Sequence, residues 1–202
     1  QRRHPLTPTS KKPFDSGHGS ARRLLEQKWV CLSLVVTAHL WSLSSQFVDF
    51  DDPQIFLQRS DLQVPFLEFI QRAFDFARPD TWRPVRDLSH WVDFILHGHD
   101  PLLSHVHNLI VLAFIVLAFC HLTDRLEFPR KWSYLAITLA FVHPVQVETV
   151  AWISGRKDLL ATLFMMLSLI SFEQVLESRR RWLSTFMTLS CFLLSVLSKG
   201  HM

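Results

Sequence analysis

Five apolar segments, separated by stretches whose charge alternates in sign, constrain this chain more than any other feature. They run Trp29–Phe47, Leu102–Leu122, Trp132–Val142, Leu159–Phe172 and Trp182–Leu197. A helix needs about 20 apolar residues to cross a bilayer, with a lower limit near 17. The first, second and fifth are read as spans by themselves. The third is short unless it continues through Val145–Ile153, and the fourth borrows residues at its ends. All five are kept because one orientation accounts for every basic cluster between them. The N-terminal tail holds Arg2, Arg3, Lys11, Lys12, Arg22, Arg23 and Lys28 against Asp15 and Glu26. Arg125, Arg130 and Lys131 follow the second segment, and Arg179, Arg180 and Arg181 follow the fourth. Positive residues are retained on the cytoplasmic side, so all three groups belong there. Trp29, Trp132 and Trp182 then mark one interface, as an aromatic belt does.

Composition supports the same class. The chain is 49% hydrophobic, with 17 Phe, 7 Trp and only 5 Gly, and its mean hydropathy is +0.17. These values suit a multi-pass α-helical membrane protein better than a soluble domain of this length. Cys31, Cys120 and Cys191 lie within apolar runs and form neither a disulfide framework nor a metal-type spacing. The basic tail, apolar core and Ser42-Leu43-Ser44 also resemble a weak signal peptide. The long core and extended tail favour an uncleaved anchor instead. The expected organisation is a basic cytoplasmic tail over 1–28, a first span over 29–47, an outer loop over 48–101 and four further spans within 102–202.

That outer loop is too long for a plain connector, and loops beyond about 15 residues are usually functional. It is acidic, with Asp49, Asp51, Asp52, Asp61, Glu68, Asp75, Asp80, Asp87, Asp93 and Asp100 against Arg59, Arg72, Arg78, Arg83 and Arg86. Spacing predicts a helix from Asp61, with Val64, Leu67, Ile70, Phe74 and Ala77 on one face, widened by Phe66, Phe69 and Phe76. Such a face suits either the membrane interface or the outer ends of the spans. A second short helix is predicted over Asp87–His97, where Leu88, Trp91, Val92 and Ile95 share a face. Pro79 and Pro84 break the chain between the two.

The same topology gathers polar groups at the outer surface. Asp51 and Asp52 follow the first span, and His105 and Asn108 stand at the entry to the second. The turn after the third carries His143, Glu148, Arg156, Lys157 and Asp158, and Ser198 and Lys199 end the fifth. Charges held at the edge of a bilayer are costly and usually act on a substrate, an ion or a headgroup. Snorkelling Arg and Lys in an ordinary loop are the plain alternative.

Particular runs then carry a resemblance. Phe50-Asp51-Asp52-Pro53, Trp82-Arg83-Pro84 with Leu88-Ser89, His105-Val106-His107-Asn108 and the block from Phe141 to Ala161 resemble the membrane domain of the transmembrane and tetratricopeptide-repeat proteins. The most specific piece is His143-Pro144, Glu148 and Gly155-Arg156-Lys157-Asp158-Leu159-Leu160-Ala161. The resemblance implies a C-type glycosyltransferase-like helix bundle of the protein O-mannosyltransferase kind. It also implies an acidic catalytic motif in the first outer loop and a polyprenyl-phosphate-linked sugar as donor. Gly200 and His201 after Ser198-Lys199, and Leu112 in place of a frequent histidine, depart from the pattern. The chain starts without an initiator methionine, stops just beyond a span and shows no repeat of about 34 residues. The expectation is therefore a truncated membrane domain, with its tetratricopeptide repeats absent from this fragment.

The implied chemistry transfers a hexose, mannose by the resemblance, from polyprenyl phosphate to a protein Ser or Thr hydroxyl. That hydroxyl needs a carboxylate base, for which Asp51 comes first and Asp52 second. Arg156, Lys157 and Arg83 are the candidates for holding the donor phosphate. His143, Glu148, Asp158, His105 and Asn108 would orient the site. The plain alternative for Asp51 is a solvated loop carboxylate or a helix cap. The implied partners are the bilayer, the lipid-linked sugar and a protein acceptor. The implied location is a bacterial inner membrane or endoplasmic reticulum, with the N-terminus cytoplasmic and the active face periplasmic or luminal.

Two other functions compete. His90, His97, His99, Asp100, His105 and His107 crowd one segment, and such clusters can bind a divalent metal. On a helix, however, His105 and His107 diverge, which leaves only His97 and His99 able to converge. No metal site is assigned, and no certain cofactor. Alternatively, the membrane domain is a non-catalytic anchor for a repeat-based assembly scaffold. No phosphate-binding Gly-rich loop, nucleophile elbow or nucleic-acid stripe is present, and the basic clusters suit anionic lipid rather than nucleic acid.

Overall fold

Asp100 and Pro101 start the helix around which the rest is arranged. The computed structural model describes residues 17–48, 51–75, 82–177 and 181–200, and within them the regular structure is helical throughout. Asp100 caps helix α4 (Pro101–Arg125) by accepting from the backbone N–H groups of Leu102, at 2.9 Å, and Leu103, at 3.4 Å. Proline at the first position costs no hydrogen bond there and presets φ for a helix. Around α4 lie α1 (Gly17–His39), α5 (Arg130–Val142), α6 (Val145–Ala151) and α7 (Arg156–Glu177). Their shared core includes Val35, Leu112, Ile115, Val116, Tyr134, Ile137, Val150 and Leu159. α8 (Arg181–Lys199) returns along α7. Ser195 donates to the Ala161 carbonyl, and Ser168 to that of Thr188, joining these helices where little water can compete.

Among the described residues, α4, α7 and α8 are long and apolar enough to cross a membrane. α5 and α6 bend by 68° at a short break and together would make one broken span. The third predicted segment does continue beyond Val142, but Pro144 turns it rather than extending it. α1 is not among these helices, and the predicted first span, Trp29–Phe47, takes in only its second half and the residues after it. It opens with Arg22, Arg23, Glu26 and Lys28, and its α-helical course ends at His39 before a 3-10 turn over Leu40–Ser44. Trp182, Phe186, Leu189, Leu193 and Val196 form an exposed apolar stripe along α8. Such a stripe suits contact with lipid or other helices and would be a liability in water.

The outer loop folds over one end of the bundle around a second core of Phe56, Leu62, Phe69 and Ala73. Its first helix, α2 (Phe66–Ala73), starts after Pro65 rather than at Asp61. Asp61 lies instead in a 3-10 turn, where it accepts two hydrogen bonds from Arg59. The predicted face also divides: Phe69 and Ala73 are inside, whereas Leu67 is 75% exposed. Phe76 and Ala77 lie outside the described residues. The next helix, α3 (Pro84–His97), begins three residues earlier than predicted because Pro84 takes its first position. It buries Arg86, Asp87, His90 and Asp93, while Ile95 and Leu96 are exposed. Leu88 and Trp91 pack partly against the second core, but the fully enclosed face of α3 is polar.

Candidate active site

At this end of the bundle, Gly155 starts the local construction. A Cβ at this residue would lie 2.6 Å from the Thr149 carbonyl oxygen, so only glycine fits the tight passage from α6 into α7. The turn sends Arg156 inward. Its side chain is fully enclosed, and its nitrogens donate to Asn108 Oδ1 at 2.8 Å, the Ser104 carbonyl at 2.8 Å and Asp93 Oδ2. Asn108 in turn donates to the carbonyls of Val150 and Trp152, at 3.2 and 3.0 Å. Asp93 is also approached by His107 Nδ1 and, at 3.7 Å, by His97 Nε2. Burial would raise the Asp93 carboxyl, but the His107 hydrogen bond and the charge of Arg156 hold it below its ordinary range. This is a closed network joining α3, α4 and α7.

Arg156, which the sequence reading assigned to the donor phosphate, is thus enclosed, and each of its nitrogens has a protein acceptor. Asn108 belongs to the same interior and orients the α6–α7 turn. Asp93, which sequence reasoning did not single out, is its anionic centre. Arg86, His90, Asp93 and His97 stand four, three and four residues apart, and that spacing places them on one helix face. A face-by-face reading of polar residues would have found them.

The two aspartates separate in the same manner. Asp52 is 1% exposed and accepts from Val48 N–H at 2.9 Å and Ser154 N–H at 3.0 Å. With one carboxylate oxygen on each strand of chain, it fastens the loop after α1 to the turn before α7. That is a structural tie and leaves it poorly placed as a base. Asp51 is half-buried, makes no such tie and lies in the field of Lys157. Asp49 and Phe50 lie outside the described residues.

Lys157 also lies in the fields of Arg83, Asp158 and Arg86. Asp158 pairs with Lys199 at 2.6 Å. Arg83 stands at the N-terminal boundary of α3, with its Nε enclosed and without a protein acceptor. Arg86 donates twice to Asp87, at 2.9 and 2.6 Å, but its Nη1 is buried without a partner. Asp87 is shared with Arg59, whose Nη1 lies 3.0 Å away. Burial lowers Arg59, but Asp61 and Asp87 outweigh it and raise the group above its ordinary value; burial lowers Arg86. Three cations, Arg83, Arg86 and Lys157, thus crowd one region. The end of α8 closes this region: a Cβ on Gly200 would lie 2.9 Å from the Trp82 carbonyl.

The remaining predicted residues divide. His105 is fully buried, in the field of Asp52 and against the Ser45 backbone. His143 is exposed and accepts from Val145 N–H at 3.2 Å, at the start of α6. Glu148 is exposed on a cavity of about 500 Å³ lined also by Trp41, Ser45, Val48 and Trp152. His97 turns to Asp93, whereas His99 packs against Phe56 and Phe94, with ring centroids 5.2 and 5.1 Å apart. The pair considered for a metal therefore diverges. Among the described residues, no group of three or more His, Cys, Asp or Glu is arranged to hold an ion.

No family profile matches the chain, and no solved structure matches it. Curated proteins do. A protein O-mannosyl-transferase of Caenorhabditis elegans is 29% identical over 174 residues, which is 81% of this chain and 25% of that protein. Protein O-mannosyl-transferase Tmtc1 of Drosophila melanogaster is 28% identical over 178 residues, 84% of this chain and 20% of the relative. Protein O-mannosyl-transferase TMTC1 of Mus musculus is 33% identical over 104 residues, 51% of this chain and 11% of the relative. The chain thus spans a quarter or less of the length of these relatives.

Proposed function

We propose that this chain, which belongs to the transmembrane and tetratricopeptide-repeat family of protein O-mannosyl-transferases, forms the donor-side part of a membrane glycosyltransferase site. The whole protein would move a hexose, mannose by family, from a polyprenyl phosphate to a Ser or Thr hydroxyl of a protein acceptor. The observation that carries this reading is the half-buried Asp51 in the field of Lys157, which also feels Arg83 and Arg86.

The acceptor oxygen attacks the anomeric carbon, and the bond from that carbon to the phosphate oxygen breaks. Asp51 takes the hydroxyl proton as the new bond forms. The polyprenyl phosphate leaves with the electron pair, and Lys157, Arg83 and Arg86 stabilise its growing charge. Asp52, Arg156, Asn108 and Gly155 hold these groups in register. In this orientation the basic ends of the helices are cytoplasmic, and the Asp51 end faces the lumen or periplasm.

In the complete protein, Asp51→Asn should reduce mannosyl transfer by about 100-fold with normal membrane insertion, the size expected for loss of a general base. Lys157→Ala should weaken use of the lipid-phosphate donor. Transfer unchanged in both variants would remove the catalytic reading and leave the anchoring scaffold in its place.

A further inference from the structure

The opposite end of the bundle carries a second site. Between α1 and α5 lies a slot of about 400 Å³ whose walls include Val30, Leu34, Leu135 and Thr138. Gln27 and Lys131 stand where it opens at the basic end. From Gln27 to Leu34 it follows α1 for roughly 10 Å at 1.5 Å per residue. That depth is about two thirds of one leaflet's hydrocarbon thickness.

Charge separates the mouth of this slot from its surroundings. Asp124 accepts from Lys28 at 2.6 Å, Arg130 at 3.0 Å and Tyr134 Oη at 3.0 Å. One carboxylate thus holds α1, α4 and α5 together and has two cations already. Lys131 is exposed, has no carboxylate partner among the described residues, and lies 5.6 Å from the Trp132 ring centroid. Trp132 is 64% exposed beside it and Trp29, on α1, is 56% exposed, as Trp is at a headgroup boundary.

We infer that this slot binds one anionic glycerophospholipid, with an acyl chain between α1 and α5 and its headgroup phosphate on Lys131. Apolar walls favour a chain, and the unneutralised ammonium favours net negative charge in the headgroup over a zwitterion. Gln27 supplies a polar group at the same depth. Because this end lies away from Asp51, lipid binding here stands independently of the glycosyl-transfer reading.

The test is native mass spectrometry of the full chain released from vesicles of equal phosphatidylserine and phosphatidylcholine. The expected result is one retained lipid, enriched in phosphatidylserine. Lys131→Ala should reduce that preference about fivefold, the effect of one basic residue at an anionic surface. Lys131→Arg should preserve it. Leu34→Trp, which fills the slot, should reduce retention of both lipids. Equal retention of the two lipids by the unaltered chain would overturn the proposal, as would an unchanged preference in Lys131→Ala. The Lys131 variants decide the question even if Leu34→Trp does not fold, because Lys131 is an exposed side chain.

Discussion

Arg156 and Lys157 are adjacent, as are Asp51 and Asp52, yet one member of each pair is locked inside and the other is left toward an open rim. The closed region contains Arg156, Asp93 and Asn108, with Asp52 tying two backbone segments. The rim contains Asp51, Lys157 and Arg83, while Arg86 is enclosed behind it on Asp87. Successive helical residues differ by about 100° in direction, so neighbouring charges can serve different ends. The closed network sets the geometry, and the rim remains available for a ligand.

The comparison breaks most visibly at Arg156. Arg156→Ala leaves Asp93 buried without its main cation, and removing one partner of a buried pair costs about 3–5 kcal/mol. Thermal unfolding of the purified protein should show this as a large loss of stability. Lys157→Ala should alter stability by no more than about 0.5 kcal/mol, as a surface substitution does. Equal losses would show that the two regions are one structural unit.

Next in size is the contrast between the aspartates. Asp52→Asn cannot accept from both Val48 and Ser154 N–H groups, and leaving a buried donor unmatched costs about 1–3 kcal/mol. Its transfer activity should fall only as the folded fraction falls. Asp51→Asn should keep the melting temperature and lose turnover. Reversal of this pattern would exchange the roles assigned to the two carboxylates. Gly155→Ala belongs with Asp52: its Cβ would meet the Thr149 carbonyl at 2.6 Å. Forcing an added methyl group into a closed site costs about 1–3 kcal/mol, measurable by thermal unfolding.

The sequence disclosed the helical class and the polar turn after the third apolar segment, because apolar length and charge act locally; the 68° bend at Pro144 is the structure's addition. The inward or outward direction of each charge was less legible. It depends on helix phase and on partners far along the chain: Asp93 meets Arg156, and Asp52 meets Ser154 N–H. α3 was misread for a more general reason. In water an amphipathic helix buries its apolar face, whereas α3 encloses Arg86, His90 and Asp93 and exposes Ile95 and Leu96. α1 changes conformation at His39, inside the apolar segment Trp29–Phe47, a local break that apolar length by itself does not register.

The smallest effect sharpens the comparison through pH. His90 is fully buried beside Phe56, with a ring-centroid separation of 5.4 Å, and neither nitrogen has a protein partner. Burial, then the charges of Arg156, Arg86 and Arg59, push it well below its ordinary value of 6.5. Above that value His90 is neutral whether the protein is folded or unfolded, so it contributes no pH dependence. As pH falls below 6.5, the unfolded chain takes a proton that the folded one resists, and stability declines by up to about 1.4 kcal/mol per pH unit. Asp93 acts in the same direction but lower, because its depressed folded value preserves its contribution until the pH passes below the ordinary carboxylate range. The melting temperature should therefore fall between pH 6.5 and 5, and His90→Leu should flatten that limb without changing the acid limb below it. An unchanged slope in His90→Leu would assign the pH response to another histidine and separate His90 from the closed network.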